Sequence, residues 1–112
     1  MRRAAIDIGT NSVRLLVADV TEGRIHPVLQ RIEITRLGEG LAQSPLLAPQ
    51  AIGRTVRAVR EFATCAEQLG ATSLVVVGTS ALREAQNRAT LERDLRPLRI
   101  RVLTGEQEAE LG

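Results

Sequence analysis

The sequence predicts a single α/β domain with a mixed sheet of five strands, and three observations support this. The first third of the chain contains apolar segments of strand-like composition, separated by short turns that contain Gly, Asn or Ser. A long segment with apolar residues at helical spacing follows. Short apolar runs then alternate with helical segments, which gives the order βββαβαβα in a mixed sheet.

The first three strands form a predicted meander. Residues 4–9 and 12–20 are apolar segments joined by a Gly-Thr-Asn-Ser turn, and both faces of the second are largely apolar, which is typical of an interior strand. Residues 24–37 are more polar, and Pro27 within them indicates a sheet edge or a bulge. The Gly and Pro content of residues 38–50 predicts a loop.

The remaining elements are predicted in the order helix (49–69), strand (72–80), one or two short helices (81–98), strand (99–104) and a last helix. Pro49 suits the first turn of the long helix, and Gly70 suits the position just after its end. The run at 72–80 is typical of a strand covered on both faces. Thr104 and Gln107 have the spacing of a capping box for the last helix.

Composition excludes several classes of function. Of 112 residues, 44% are hydrophobic and 25% charged, which is typical of a globular chain. Phe62 is the only aromatic residue, which argues against stacking surfaces for nucleic acid, and Cys65 is the only cysteine, which excludes an internal disulfide. No apolar run reaches transmembrane length and the N-terminus lacks a signal-peptide pattern, so we expect a cytoplasmic protein without membrane contact.

Three segments place small or polar residues at the ends of predicted strands. They are "DIGTNS" (7–12), "GTSALR" (78–83) and "TGEQE" (104–108). In α/β sheets, ligands bind where such strand ends converge. Each segment is therefore a candidate part of one binding site.

The first segment has two interpretations. Gly9 allows the backbone to approach a ligand closely, and the N–H groups around Thr10, Asn11 and Ser12 could form a nest for an anion. Asp7, at the strand end, could bind a hard cation such as Mg²⁺. The alternative is a plain hairpin turn in which Asp7 makes an Asx-type hydrogen bond. The residues alone leave both interpretations open.

The second segment lies at a strand-to-helix junction, where unpaired N–H groups attract anions. Arg83 could add a bidentate contact to a phosphate. The alternative is that Thr79 or Ser80 is an ordinary N-cap and that Arg83 is simply exposed.

The third segment supplies carboxylates in a first helical turn. Glu106, Glu108 and Glu110 could be surface groups that complement the helix dipole. Alternatively, one of them faces a cleft and acts as a general base. Helical spacing directs Glu108 away from the other two, but it does not show which side meets a cleft.

In this order, the segments resemble the exopolyphosphatase/guanosine pentaphosphate phosphatase (Ppx/GppA) family of the actin–Hsp70–sugar kinase superfamily. The matching stretches, which span almost the whole chain, are "AAIDIGTNSVRLLVADV", "RLGEGL", "VVVGTSALREAQN" and "VLTGEQEAELG". The resemblance implies an RNase H-like lobe of the actin-like ATPase superfamily. It also implies that residues 1–112 are the N-terminal lobe of a longer protein. A second phosphate loop of "DxGGGS" type, expected shortly after the last helix, is absent from this sequence, and so is the second lobe.

The resemblance further implies roles for particular residues. Gly9, Thr10, Asn11, Ser12 and Arg83 are expected to bind phosphate, Asp7 is expected near Mg²⁺, and Glu108 is expected to activate the attacking water; this list comes from the family pattern. Gln107 and Glu110 depart from the residues common in the family. The expected substrate is inorganic polyphosphate or guanosine pentaphosphate, without nucleic acid, and a homodimer is one candidate assembly.

Two rival interpretations remain at this point. A sugar or acetate kinase of the same superfamily would also begin with an acidic-Gly-Thr loop, although the "TGEQEA" segment favours the phosphatase branch. A non-catalytic binding module is the rival from a different class, but such a module would need neither Arg83 nor Glu108.

Overall fold

The computed structural model describes residues 1–103, without the side chains of Ser80 and Ala81. The predicted capping box and the predicted catalytic Glu108 lie outside the described residues. The elements in chain order are β1 (Arg2–Ile8), β2 (Ser12–Thr21), β3 (Arg24–Ile34), α1 (Pro49–Gln68), β4 (Ser73–Gly78), α2 (Ser80–Glu84), α3 (Arg88–Leu95) and β5 (Ile100–Val102).

The five strands form one mixed sheet in the order β3-β2-β1-β4-β5. The meander pairs β1 with β2 and β2 with β3 in antiparallel register, whereas β4 pairs with β1 and with β5 in parallel register. The predicted interior position of β2 is confirmed. Both predictions for Pro27 are also confirmed, because β3 is an edge strand and its register with β2 shifts between Val17 and Ala18, next to the Pro27 pair.

The hydrophobic core lies between one face of the sheet and the three helices. Alternation along the strands directs every second side chain to this face, and the helices contribute their apolar sides. The fully buried members from β1 and β2 are Ile6, Ile8, Val13, Leu15 and Val17, and those from the helices include Val59, Leu82, Leu91 and Leu95. Aliphatic packing therefore holds all three helices on a single face.

The opposite face of the sheet, called the open face below, carries the alternate side chains. Val75 of β4 is 44% exposed and Ile32 of β3 is 62% exposed. The prediction that residues 72–80 are covered on both faces is therefore wrong for the described part of the chain. The reason is that α1, α2 and α3 all pack against the core face, so residues 1–103 supply no helix for the other one.

Helix α1 begins and ends close to the predicted positions. Pro49 lies in its first turn, where a missing N–H costs nothing. After Gln68 the chain turns out of the helix, and Gly70 adopts φ +79°, a left-handed conformation that glycine accepts readily. None of the helices in residues 1–103 combines the length and the apolar composition needed to cross a bilayer.

Arg2 ties the start of β1 to two other elements. Its Nε and Nη2 donate to the carboxylate of Asp19 at 2.8 and 3.1 Å, and its Nη1 donates to the carbonyl of Leu69 at 2.8 Å. The hydrogen bond from the Arg2 guanidinium lowers the pKa of the Asp19 carboxyl. This contact joins β1, β2 and the end of α1.

The lowered pKa of Asp19 predicts a loss of stability in acid. Because the native pKa lies below that of the unfolded chain (about 3.9), the contribution is complete above that pH and is lost as the pH falls through the native pKa. Urea unfolding should show that the free energy of unfolding decreases less between pH 7 and pH 3 for Asp19→Asn than for the unaltered chain. Glu61→Gln, an exposed change on α1, is the control; an equal decrease in all three proteins would contradict the assignment.

Candidate functional site

The carboxyl ends of β1, β4 and β5 meet at one edge of the sheet. Both the backbone N–H and the Oγ1 hydroxyl of Thr79 donate to the carbonyl of Ile8, each at 3.2 Å. The N–H of Leu103 donates to the carbonyl of Gly78 at 2.8 Å. The predicted convergence of "DIGTNS" and "GTSALR" is therefore observed, and the chain leaves β5 at the same edge.

The "DIGTNS" segment is a tight hairpin loop between β1 and β2. Ile8 pairs with Val13 at the base of the loop, and the Gly9 N–H donates to the carbonyl of Ser12 at 2.9 Å. A Cβ on residue 9 would lie 3.1 Å from that oxygen, so the turn favours glycine. The Gly9 N–H is already hydrogen-bonded within the turn. An anion at this loop would therefore accept hydrogen bonds from the N–H groups of the residues after Gly9. Thr10 and Asn11 are exposed there.

Asp7 lies on the open face, one residue before the end of β1. In the sheet register it is flanked by Arg14 of β2 and Val77 of β4, and its Oδ1 atom is buried. Residues 1–103 contain no cluster of three or more His, Cys, Asp or Glu side chains that could hold a metal ion. Mg²⁺ commonly uses only one or two carboxylates together with water and substrate phosphates. Asp7 therefore fits the role of a single carboxylate ligand for Mg²⁺.

Arg14 is a site candidate that the sequence interpretation missed. It pairs directly with Asp7 in the β1–β2 ladder, so both side chains emerge on the open face. Both line a shallow depression of about 400 Å³ whose other lining residues are mostly apolar. The sequence contained the information needed to identify Arg14, because a hairpin closed by Ile8 and Val13 must pair Asp7 with Arg14.

Arg83 lies in α2 and connects this helix to the end of β5. Its Nη1 donates to the carbonyl of Leu103 at 2.9 Å, and the residue is exposed. Thr79 occupies the N-cap position of α2 but makes no side-chain capping bond, because its hydroxyl donates to Ile8 instead. The interpretation of Thr79 as an ordinary N-cap is therefore wrong, and its hydroxyl helps to join two strand ends.

Gly78 allows α2 to pack directly against the end of β4. A Cβ at this position would lie 2.2 Å from Cδ1 of Leu82 and 3.0 Å from Cγ2 of Ile100. Leu82 is fully buried, so it cannot move aside into solvent. The absence of a side chain at residue 78 therefore sets the position of α2 and of Arg83 within it.

Other depressions of the surface lie away from these segments. One of about 530 Å³ is lined in part by Thr72 and Leu98, at the opposite end of β4. None of the predicted phosphate-binding or metal-binding residues of the described part lines it. Within residues 1–103, the strand-end site is therefore described by its loops and polar groups rather than by this depression.

Comparison with known proteins gives consistent results. Residues 16–112 match the sequence model of the Ppx/GppA phosphatase family. Exopolyphosphatase 2 of Mycobacterium tuberculosis is 39% identical over an alignment of 122 residues. The alignment covers 98% of this chain and 38% of that protein. A putative exopolyphosphatase of Haemophilus influenzae is 33% identical over 110 residues, which cover 96% of this chain and 34% of that protein.

Solved structures show the same fold. The Aquifex aeolicus member of the Ppx/GppA family superposes with a TM-score of 0.91 at 32% identity, covering 96% of this chain and 36% of that one. An exopolyphosphatase from Cytophaga hutchinsonii superposes with a TM-score of 0.92 at 26% identity. This match covers 99% of this chain and 36% of that one. The predicted fold class, a lobe of the actin-like ATPase superfamily with a mixed five-stranded sheet, is confirmed. The chain spans about a third of the length of these relatives.

The packing around Gly78 predicts that a side chain added at this position destabilises the fold. Gly78→Ala should lower the free energy of unfolding by about 1–3 kcal/mol, because the added methyl group overlaps buried Leu82. Gly53→Ala is the control, since a Cβ there meets nothing within 4 Å and should raise stability by about 0.5–1 kcal/mol in mid-helix. Urea unfolding measures both, and equal effects of the two changes would contradict the packing role.

Proposed function

The chain belongs to the Ppx/GppA phosphatase family, and from this premise we propose that it forms one wall of the active site of an exopolyphosphatase. The reaction is hydrolysis of the terminal phosphoanhydride bond of inorganic polyphosphate, which releases orthophosphate. The observation that carries the proposal is the pair of hydrogen bonds from Thr79 to Ile8, because they bring the hairpin loop and Arg83 to one edge. Relatives named as exopolyphosphatases support polyphosphate as the substrate.

Length supports a division of the site between two lobes. Since the chain spans about a third of the length of its relatives, we propose that it is one part of a longer protein. The rest of that protein would supply the other wall of the site and a second phosphate loop. A phosphoryl group in transfer carries charge on several oxygens, and contacts from one side alone would leave part of that charge uncompensated. We expect the 112-residue chain by itself to release little orthophosphate.

The proposed roles combine the family pattern with the positions of the described groups, and the role of Glu108 comes from the family pattern alone. The hairpin loop would offer backbone N–H groups and the Thr10 and Ser12 hydroxyls to the terminal phosphate, and Arg83 would neutralise charge from the α2 side. Mg²⁺, held through Asp7, would offset charge on the phosphate oxygens. Glu108, as general base, would accept the proton of the attacking water.

Guanosine pentaphosphate is the second candidate substrate. The matching family model is that of the Ppx/GppA phosphatases, the resemblance in sequence implies guanosine pentaphosphate as an alternative, and both substrates end in a phosphoanhydride. Orthophosphate release from each substrate, compared as kcat/KM on the complete protein, distinguishes them. A cytoplasmic location, a homodimer and the absence of a nucleic-acid partner stay predictions.

Replacement of Glu108 tests the catalytic proposal. Glu108→Gln in the complete protein should keep the KM for polyphosphate within about threefold and lower kcat about 10²–10⁴-fold, because an amide cannot accept the proton of water. Colorimetric measurement of orthophosphate release gives both constants. An unchanged kcat would contradict the assignment and favour a different base.

Replacement of Arg83 should change KM, whereas replacement of Glu108 should change kcat. Arg83→Ala is expected to raise KM about tenfold or more, because a charge-assisted contact to phosphate is worth about 1.5–3 kcal/mol. Arg93→Ala, an exposed change on α3, is the matched control and should leave KM unchanged. If the two variants have equal KM values, Arg83 does not contact the substrate.

A further inference from the structure

A short segment after β3 contacts the back of the hairpin loop. This backing segment comprises residues 35–39. The N–H groups of Thr35 and Arg36 both donate to the carbonyl of Asn11, at 3.1 and 3.0 Å, and the N–H of Gly38 donates to the carbonyl of Thr10 at 2.9 Å. Two consecutive carbonyls of the loop are therefore fixed by the same segment.

These hydrogen bonds also orient the donors of the loop. Each peptide unit is planar and trans, so its C=O and N–H groups point in opposite directions. Because the carbonyls of Thr10 and Asn11 face the backing segment, the N–H groups of Asn11 and Ser12 are directed away from it. These are two of the groups that the proposed function assigns to phosphate binding.

Gly38 allows the backing segment to lie close against the loop. A Cβ on residue 38 would lie 2.4 Å from Cγ2 of Thr10 and 3.4 Å from its carbonyl oxygen. Real Cβ atoms do not approach other atoms to within 2.4 Å, so the Thr10 side chain, the loop backbone or the segment would have to move. The glycine thus sets the spacing between the backing segment and the loop.

The backing segment is anchored on its other side. Leu37 is fully buried in the core, and Arg36 holds φ +51°, which residues other than glycine rarely adopt. Arg54 of α1 reaches both ends of the segment: its Nε donates to the carbonyl of Thr35 at 2.8 Å, and its Nη2 donates to Oε2 of Glu39 at 2.9 Å. One side chain therefore ties the whole segment to the longest helix.

We propose that Arg54 and Gly38 are positioning residues for phosphate binding, because they hold the backing segment that orients the loop N–H groups. This inference rests on the proposed function, since it assigns a purpose to the loop. Neither residue contacts the substrate in this proposal. Arg54 acts through two hydrogen bonds and Gly38 acts through the space it leaves for Thr10.

The first test replaces Arg54 in the complete protein and uses magnesium tripolyphosphate as the probe. Arg54→Met keeps the aliphatic part of the side chain and removes both hydrogen bonds. We expect its Kd for the probe, measured by calorimetry with Glu108→Gln present in every protein so that the probe is not hydrolysed, and its KM for polyphosphate to rise about tenfold to a hundredfold, as misplacement of binding groups can cost. Arg57→Met, an exposed change one turn nearer the middle of α1, is the control and should leave both constants unchanged.

Thermal unfolding separates positioning from a general loss of structure. A merely structural role for Arg54 would lower Tm and the fraction of active molecules, and so the apparent kcat, while the Kd of the folded molecules stayed the same. A raised Kd in Arg54→Met protein that is folded at the assay temperature supports the proposal. An unchanged Kd overturns it.

The second test uses Gly38→Ala, which adds the methyl group that the loop cannot accept. Its effect on Kd is measured in two backgrounds, the unaltered protein and Thr10→Ser, where the clashing Cγ2 is gone and a hydroxyl remains. We expect Gly38→Ala to raise Kd about tenfold in the first background and less than threefold in the second. Equal increases in both backgrounds overturn the proposed spacing role.

The unaltered protein distinguishes this inference from the proposed function. If it does not bind magnesium tripolyphosphate, the proposed function fails and the positioning roles fail with it. If it binds the probe and Arg54→Met binds equally well, the proposed function stands and the positioning role of Arg54 alone is overturned.

Discussion

The site depends on the hydrogen bonds that join the ends of β1 and β4. Thr79 donates its backbone N–H and its hydroxyl to one carbonyl, that of Ile8, across 71 residues of sequence. This contact is possible because β1 and β4 are parallel neighbours, so their carboxyl ends reach the same edge. This pairing places the hairpin loop and α2 at one edge, and the hydrogen bond from the N–H of Leu103 to the carbonyl of Gly78 brings the exit of β5 to the same edge.

Much of the fold could be predicted because the determining signals are local. The largely apolar faces of β2 indicated an interior strand, Pro27 indicated an edge or bulge, and Pro49 and Gly70 bounded α1 to within a residue. The open face could not be predicted. An apolar run such as that of β4 shows only that side chains prefer burial, and which helices cover which face is decided by the connections between distant elements.

The candidate site was predicted only where its residues follow a strand directly. "DIGTNS" and "GTSALR" were found because polar residues after an apolar run are visible in sequence. Arg14 was missed because its meaning depends on hairpin register. Gly38 and Arg54 were missed because their contacts join segments that are distant in sequence. "RLGEGL" (36–41) was noted as a stretch that matches the family, but no role was assigned to Gly38 within it. Support for a binding loop is non-local and leaves no pattern in a single sequence.

The strand-end location of the anion site is tested most directly by amide mapping. ¹⁵N-labelled protein is titrated with magnesium tripolyphosphate, and the shifts of backbone amides are followed by NMR. We expect shifts concentrated in residues 9–12 and 79–83, with residues 71–73 and 97–99 at the opposite end of β4 unchanged. Shifts confined to that opposite end, or no shifts at saturating probe, would contradict the central claim.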